Sequence, residues 1–450
     1  MLNELARSVR DGEVTPVELV EEALRRIEAT SSLNAVVLVH ADEALAEAAD
    51  HPRTGPLAGL PLLVKDMARC RGSRTTMGSH LHAEDPPDEV DDDVVARLRG
   101  AGAIVVGRTN SPAYGHAPFT TNLLFGPTRN PWNTERSPGG SSGGSAAALA
   151  AGVVPLATTS DGGGSVRIPA ALCGLVGLKP TMGAIGRNLL PRWIEFSTQG
   201  CTASTVADVA LQAGVVFGPA PGDHLSAPAG TSELSPTRPA RVVACRTFRA
   251  DVDRVVEAAY EASLDALASD GITVERLDWT DEGALMDWFV IATAELAQSL
   301  EDDRDRWPSF ESSLRDMLMF GAAVTTGDYL AATRRRFAHG ARIDAVVGDD
   351  AVLVLPTLNV QDWGPEGPTP DAAGAVTGDP TIATNTPDLN LTGHPAVSVP
   401  MGVGDAGVPM GLQVVAPRWR EGLALGVAEV LERARPWPLV APGYATFAPS

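Results

Sequence analysis

The chain has 450 residues, 44% hydrophobic and 20% charged, enough apolar material for a large core and too much for a disordered or disulfide-stapled miniprotein. Acidic residues outnumber basic ones 56 to 35, and the formal charge of -21 repels phosphate backbones and anionic head groups. No nucleic acid and no membrane is therefore expected as a partner. The Ala-rich run from Ser145 is broken by Gly and Pro before it could span a bilayer, and the first residues lack the basic-then-apolar layout of a secretory leader. Cys70, Cys173, Cys201 and Cys245 show neither metal-ligand nor disulfide spacing, so a cytoplasmic setting is the default.

A first helix is predicted in TPVELVEEALRRIE. Thr15 is its N-cap, Pro16 its first helical residue and Glu18 the partner in a capping box, with Val17, Leu19, Val20 and Leu24 on one stripe. A buried strand is predicted from Ala35 to Val39, then a short helix in ADEALAEAAD and a strand, PLLVK, ending at Lys65. A helix in DVVARLRGAG and a strand in AIVVG continue the alternation of an α/β layer structure. The middle breaks it. SPGGSSGGS, from Ser137 to Ser145, is too rich in Gly and Ser for regular structure. A small-residue helix AAALAAG follows, then a strand VVPLATT and a second Gly-Ser loop, SDGGGSVRIPA. Alternation resumes with RVVAC, a helix from about Asp251 to Ser269, ITVERL, AVLVLP, AVSVP, GLQVV and a last helix near Glu421 to Arg433. The stretch from about Asp281 to Arg342 reads as mostly helical. The segment from Gly218 to Pro239 is the best linker candidate, but strand signals on both sides argue for a single α/β domain over 1–450, a mixed twisted sheet covered by helices.

Of the 35 basic residues only Lys65 and Lys179 are lysines. A coding bias toward arginine explains the background. Against it, a retained lysine marks a place where an amine that can lose its proton is useful, since arginine cannot.

The two Gly-Ser loops carry the chemistry. In DGGGS, Gly162, Gly163 and Gly164 precede Ser165, and successive glycines let backbone N–H groups converge on one anion. A serine closing such a loop can attack a carbonyl while those N–H groups hold the oxyanion, provided a base takes its proton. A neutral lysine can be that base. Lowering its pKa from ~10.4 to ~7.5 costs about 4 kcal/mol, which burial can impose. GLPLLVKDM buries Lys65 at a strand end, and alternation turns Asp66 to the opposite face. A relay from Ser165 through Ser141 to Lys65 would be a serine-hydrolase triad without histidine.

Lys65 in GLPLLVKD, Ser141 in SPGGSSGGSAAALAAG and Ser165 in SDGGGSVRIPA resemble the amidase signature family of Ser–cisSer–Lys hydrolases. The resemblance continues in order through GRTN, FGPTRNPWN, CGLVGLKPT, LTGHPAVSVPMG and GLQVVAP. It implies a mixed-sheet α/β fold, a catalytic core over about 50–215, and C–N bond hydrolysis through an acyl-enzyme. Ser165 is then the nucleophile, Ser141 the serine after a cis peptide, Lys65 the base, and the N–H groups of Gly162, Gly163, Gly164 and Ser165 the oxyanion hole. The helical segment at about 281–342 is expected to cover the cleft, and Asp161 with Arg167 to fix the loop as an ion pair.

The chain departs from the pattern at Gly162, where many relatives carry a larger residue, at Ala113, where an acidic residue is common and Tyr114 stands next to it, and at Ser204 in place of an arginine. Tyr114 and Gly115 are the candidate substrate-binding residues, with an uncharged pocket expected around them. Other motifs have plainer readings. GSSGG fits a nucleophile elbow, but no strand precedes it, and His394 reads as a structural loop residue. Lys179 reads as structural before Pro180, GVGDAG as a hairpin turn, EDPPDEVDDD as a solvated loop, and His80 with His82 as too few ligands for a metal. Trp288, Trp307, Phe310 and Phe320 read first as core.

The expected function is a serine hydrolase without metal or cofactor, acting on small neutral amides, anilides or carbamates, with ester cleavage as a side activity, as a monomer or homodimer. Two alternatives stand beside it: the catalytic subunit of a tRNA-dependent amidotransferase, and a non-catalytic binding protein on the same scaffold.

Overall fold

A computed structural model describes residues 1–188, 193, 196–249, 251–280, 282–376 and 383–449. The capping box forms as read: Thr15 Oγ1 accepts from the Glu18 amide at 3.2 Å while the Glu18 carboxylate accepts from the Thr15 amide at 2.8 Å, opening the helix Pro16–Ala29. The strand after it, β1 (Val36–Val39), differs from expectation. It is hydrogen-bonded on one side only, to β3 (Ile104–Thr109), so as an edge strand it is half-buried. The interior position belongs to β2 (Pro61–Lys65), which pairs in parallel with both β3 and β4 (Leu156–Ala157) and is buried along its whole length. These four strands form one sheet in the order β1-β3-β2-β4.

The second sheet has eight strands. It runs β5 (Thr159–Asp161), β7 (Thr198–Ala203), β6 (Val176–Lys179), β11 (Ala396–Val403), β12 (Pro409–Val415), β10 (Ala351–Pro356), β8 (Arg241–Cys245), β9 (Thr273–Leu277). Parallel and antiparallel pairs are mixed, as expected, and β7 and β8, which flank the linker candidate, lie in this one sheet. The 218–239 stretch is stitched to the last helix, Glu421–Ala434, by bonds such as Thr237 N to the Gly422 carbonyl at 2.8 Å. GVGDAG forms the turn of the β11–β12 hairpin.

The VVPLATT strand divides. Its first part, β4, completes the four-stranded sheet, and its second, β5, begins the eight-stranded one. Thr158 lies between them, its amide donating to the Leu63 carbonyl and its Oγ1 accepting from the Lys65 amide at 2.8 Å. After the break, Gly162 and Ser165 of the 162–165 loop share the wall of one cavity with Lys65.

Helices Glu282–Ser299, Ser312–Ala323 and Thr326–Val347 build a separate apolar cluster around Trp288, Leu296, Trp307 and Leu314. Tyr114, Trp193 and Phe196 join that cluster from the first half of the chain. No described helix is long and apolar enough to cross a membrane.

Candidate active site

Lys65 ends β2 with its side chain 1% exposed. Its Nζ lies 2.8 Å from Ser141 Oγ, 2.9 Å from Ser142 Oγ and 3.0 Å from Ser160 Oγ. Among the described residues no carboxylate forms an ion pair with it. Asp66 turns away as alternation requires, its carboxylate accepting from the Thr76 amide at 3.0 Å and facing Arg108. Burial brings the Lys65 amine down to about 7, against the more distant negative charge of Asp161, which acts in the opposite sense. An amine this low is largely neutral above that pH.

The hydroxyl network fixes which bond points where. Ser142 Oγ donates to the Ser160 carbonyl at 3.2 Å, so toward Lys65 it can only accept. A neutral amine has two N–H groups and one lone pair. With Ser142 and Ser160 as acceptors, the lone pair is left for the Ser141 hydroxyl proton. The Gly140–Ser141 peptide is cis. Ser141 stands just ahead of the helix Gly143–Ala150, whose small residues are all buried.

Ser165 lines the same cavity as Lys65 and Ser141, and its carbonyl accepts from the Ser142 amide at 3.3 Å. Its loop is braced from beneath by Asp161. The two carboxylate oxygens accept from the amides of Gly164 (2.6 Å) and Val166 (3.1 Å) and from the Arg167 guanidinium (2.9 and 3.0 Å). Burial alone would raise the Asp161 carboxyl, but Arg167, Lys179 and Asn390 hold it at about 2. Arg167 is tied in turn to the Thr386 carbonyl, Asn390 and Gln413.

One part of the expected oxyanion hole is corrected. The Gly164 N–H is spent on Asp161 and Gly164 lines neither cavity next to Ser165, so it braces the loop. The amides of Gly162, Gly163 and Ser165 have no acceptor among the described residues. Glycine is required at two of these positions by close packing. A β-carbon on Gly162 would lie 2.4 Å from Cε3 of Trp193, and one on Gly163 2.4 Å from Cζ2 of Trp288. An indole thus occupies the space into which any side chain at position 162 would project. Trp288 Nε1 donates to the Gly162 carbonyl at 2.8 Å, fixing that ring on the loop.

Tyr114 and Gly115 also line the cavity. Tyr114 adopts a left-handed backbone, φ 51°, and its hydroxyl donates to Ser79 Oγ at 3.2 Å and meets His82 Nε2 at 3.3 Å. Lys179 and His394 line neither cavity next to Ser165. Lys179 Nζ donates to the Pro180 carbonyl, and His394 bridges Thr392 and Asp344 at 3.0 Å each. His80 and His82 bind Ser309 and Asp85, and no described cluster of three or more His, Cys, Asp or Glu could hold a metal.

A buried amine, two serines and a glycine cradle at these positions coincide with a family match: the family model described as Amidase covers residues 18–425. The chain belongs to the amidase signature family. This amidase is 34% identical to one component of the glutamyl-tRNA(Gln) amidotransferase of Deinococcus radiodurans, over 95% of this chain and 96% of that protein. It is 35% identical to the acylamidase of Rhodococcus erythropolis, over 96% and 95% of the two chains. A solved 6-aminohexanoate cyclic dimer hydrolase superposes with TM-score 0.87 at 32% identity, covering 98% of each chain. The amidase is therefore a hydrolase of the fold that the resemblance implied.

Sequence reasoning missed Ser142, Ser160 and Trp193. Ser142 had a weak signal, its place beside Ser141 at the head of a helix. Ser160 had none, because it faces Lys65 only after the chain changes sheets at Thr158.

Proposed function

We propose that this amidase hydrolyses small neutral amides, anilides or carbamates through an acyl-enzyme on Ser165, and esters as a side activity. The observation that carries the reading is the buried Lys65 amine, without a carboxylate partner among the described residues, 2.8 Å from Ser141 Oγ on the wall of the cavity that Ser165 lines. Ser165 Oγ attacks the carbonyl carbon, its proton passes to Ser141, and the Ser141 proton passes to Lys65. The carbonyl π pair becomes an oxyanion held by the amides of Gly162, Gly163 and Ser165. When the oxyanion collapses, the C–N bond breaks and Ser141 returns a proton to the departing nitrogen, recharged by Lys65. Water then repeats the attack and frees Ser165. Proton relay of this kind contributes about 10²–10⁴-fold and each oxyanion donor about 10²–10³-fold.

The test combines labelling and turnover. A fluorophosphonate is expected to form one adduct, on Ser165, and Ser165→Ala to lose both the label and more than 99% of p-nitroanilide, ester and carbamate hydrolysis. Label on another serine, or turnover retained by the variant, would move the nucleophile. The likeness to an amidotransferase component supports a second reading, activity only with partner chains. Anilide turnover by the isolated chain decides against it.

A further inference from the structure

Two cavities meet at Ser165, and they differ in size about tenfold. One, about 380 Å³, is also lined by Lys65 and Ser141. The other, about 40 Å³, lies beyond Gly163 and is walled by His116, Ile168, Trp288, Phe289 and Met317. A space of that size holds about three water- or methyl-sized groups. Its narrowness is built in. Trp288 is fixed by its bond to Gly162 and packs at contact distance on Gly163, while His116 is held between the Ala113 carbonyl and Ser313 Oγ at 2.8 Å each.

Which substrate half occupies which cavity follows from proton transfer. A general acid must reach the atom it protonates within about 3 Å. Ser141 Oγ and Lys65 open on the large cavity and not on the small one. The leaving nitrogen and its substituent therefore belong in the large cavity, and the substituent on the carbonyl carbon in the small one. The large cavity has room for a bulky amine: Met67, Met77, Tyr114 and Trp193 offer apolar surface, and Arg69, Asp92, Arg187 and Gln199 offer polar and charged groups.

On the hydrolase reading of this site, we infer that the amidase selects substrates by a short acyl or alkoxycarbonyl group on a large amine. Acetyl and propionyl amides, and methyl and ethyl carbamates, of aromatic amines are the fitting class. Longer, branched or aromatic acyl groups are excluded by Trp288, Phe289 and Met317.

Two substrate series test this, the first of p-nitroanilides and the second of acetamides. With the acyl group varied through acetyl, propionyl, hexanoyl, pivaloyl and benzoyl, kcat/KM is expected to fall at least tenfold from propionyl to hexanoyl and further for the last two. With acetyl fixed and the amine enlarged from aniline to 1-naphthylamine, it should change less than threefold. Met317→Ala, which removes a half-buried wall residue, should raise hexanoyl relative to acetyl turnover at least fivefold, and Phe289→Ala gives a second reading if the first variant fails to fold. A flat acyl profile, a preference for hexanoyl or benzoyl, or variants that leave the ratio unchanged would overturn the inference while leaving the hydrolase standing. Absence of turnover on every amide and carbamate, with no label on Ser165, would sink both.

Discussion

Replacing Lys65 by methionine separates the protonation state of the amine from turnover. Burial lowers this amine from an ordinary 10.5 to about 7, so keeping it buried at neutral pH costs the folded chain about 4–5 kcal/mol. The sign is fixed by which state holds the extra proton. Between about 7 and 10.5 the unfolded chain is protonated at Lys65 and the folded chain is not. The contribution of Lys65 to stability therefore rises with pH through that window by about 1.4 kcal/mol per unit. The cost is full below the window and absent above it. Methionine matches the stem without the charge, removing the cost and also three hydrogen bonds, to Ser141, Ser142 and Ser160, worth together about 3 kcal/mol. Lys65→Met is then expected to be more stable than wild type by about 1–2 kcal/mol at pH 7 and less stable above pH ~8.5. Urea unfolding at pH ~7, ~8 and ~9 reads the difference directly, and Lys179, also lowered by burial to about 7, cancels because both chains carry it. A difference that stays constant across the three would refute a neutral Lys65.

The same amine sets the rate profile. kcat/KM should be half-maximal on its acid limb near pH 7 and lost below it, as Lys65 takes up a proton; full activity at pH ~5 on a stable anilide would contradict this. Arg167→Met leaves the Asp161 carboxylate buried without its cation, and chemical denaturation should register a loss of about 3–5 kcal/mol. A loss below about 1 kcal/mol would mean that the Gly164 and Val166 amides suffice to hold that charge.

What the sequence made legible was what depends on neighbours a few residues apart. The capping box at Thr15, the burial of PLLVK, the turn in GVGDAG and the alternation that sends Asp66 away from Lys65 are all local consequences of spacing. What escaped depends on contacts between distant segments. Val36–Val39 reads as interior because it is apolar, yet only its pairing partners decide that it lies at an edge. VVPLATT has an unbroken strand composition, and its division at Thr158 comes from Leu63 and Lys65, roughly ninety positions away. The Gly164 amide looks equivalent to its neighbours until the Asp161 side chain folds back under it. Nothing local to the glycine run announces the two indoles from elsewhere in the chain that press against it.

The crossing at Thr158 has one more result. The amine stands at the end of one sheet, while the loop bearing Ser165 springs from the rim of the other. Turnover is thus a gauge of how well these two layers are seated on each other. A chain whose sheets had each formed but not yet docked would show native-like far-UV dichroism and no hydrolysis, and regain of activity on refolding should trail regain of secondary structure.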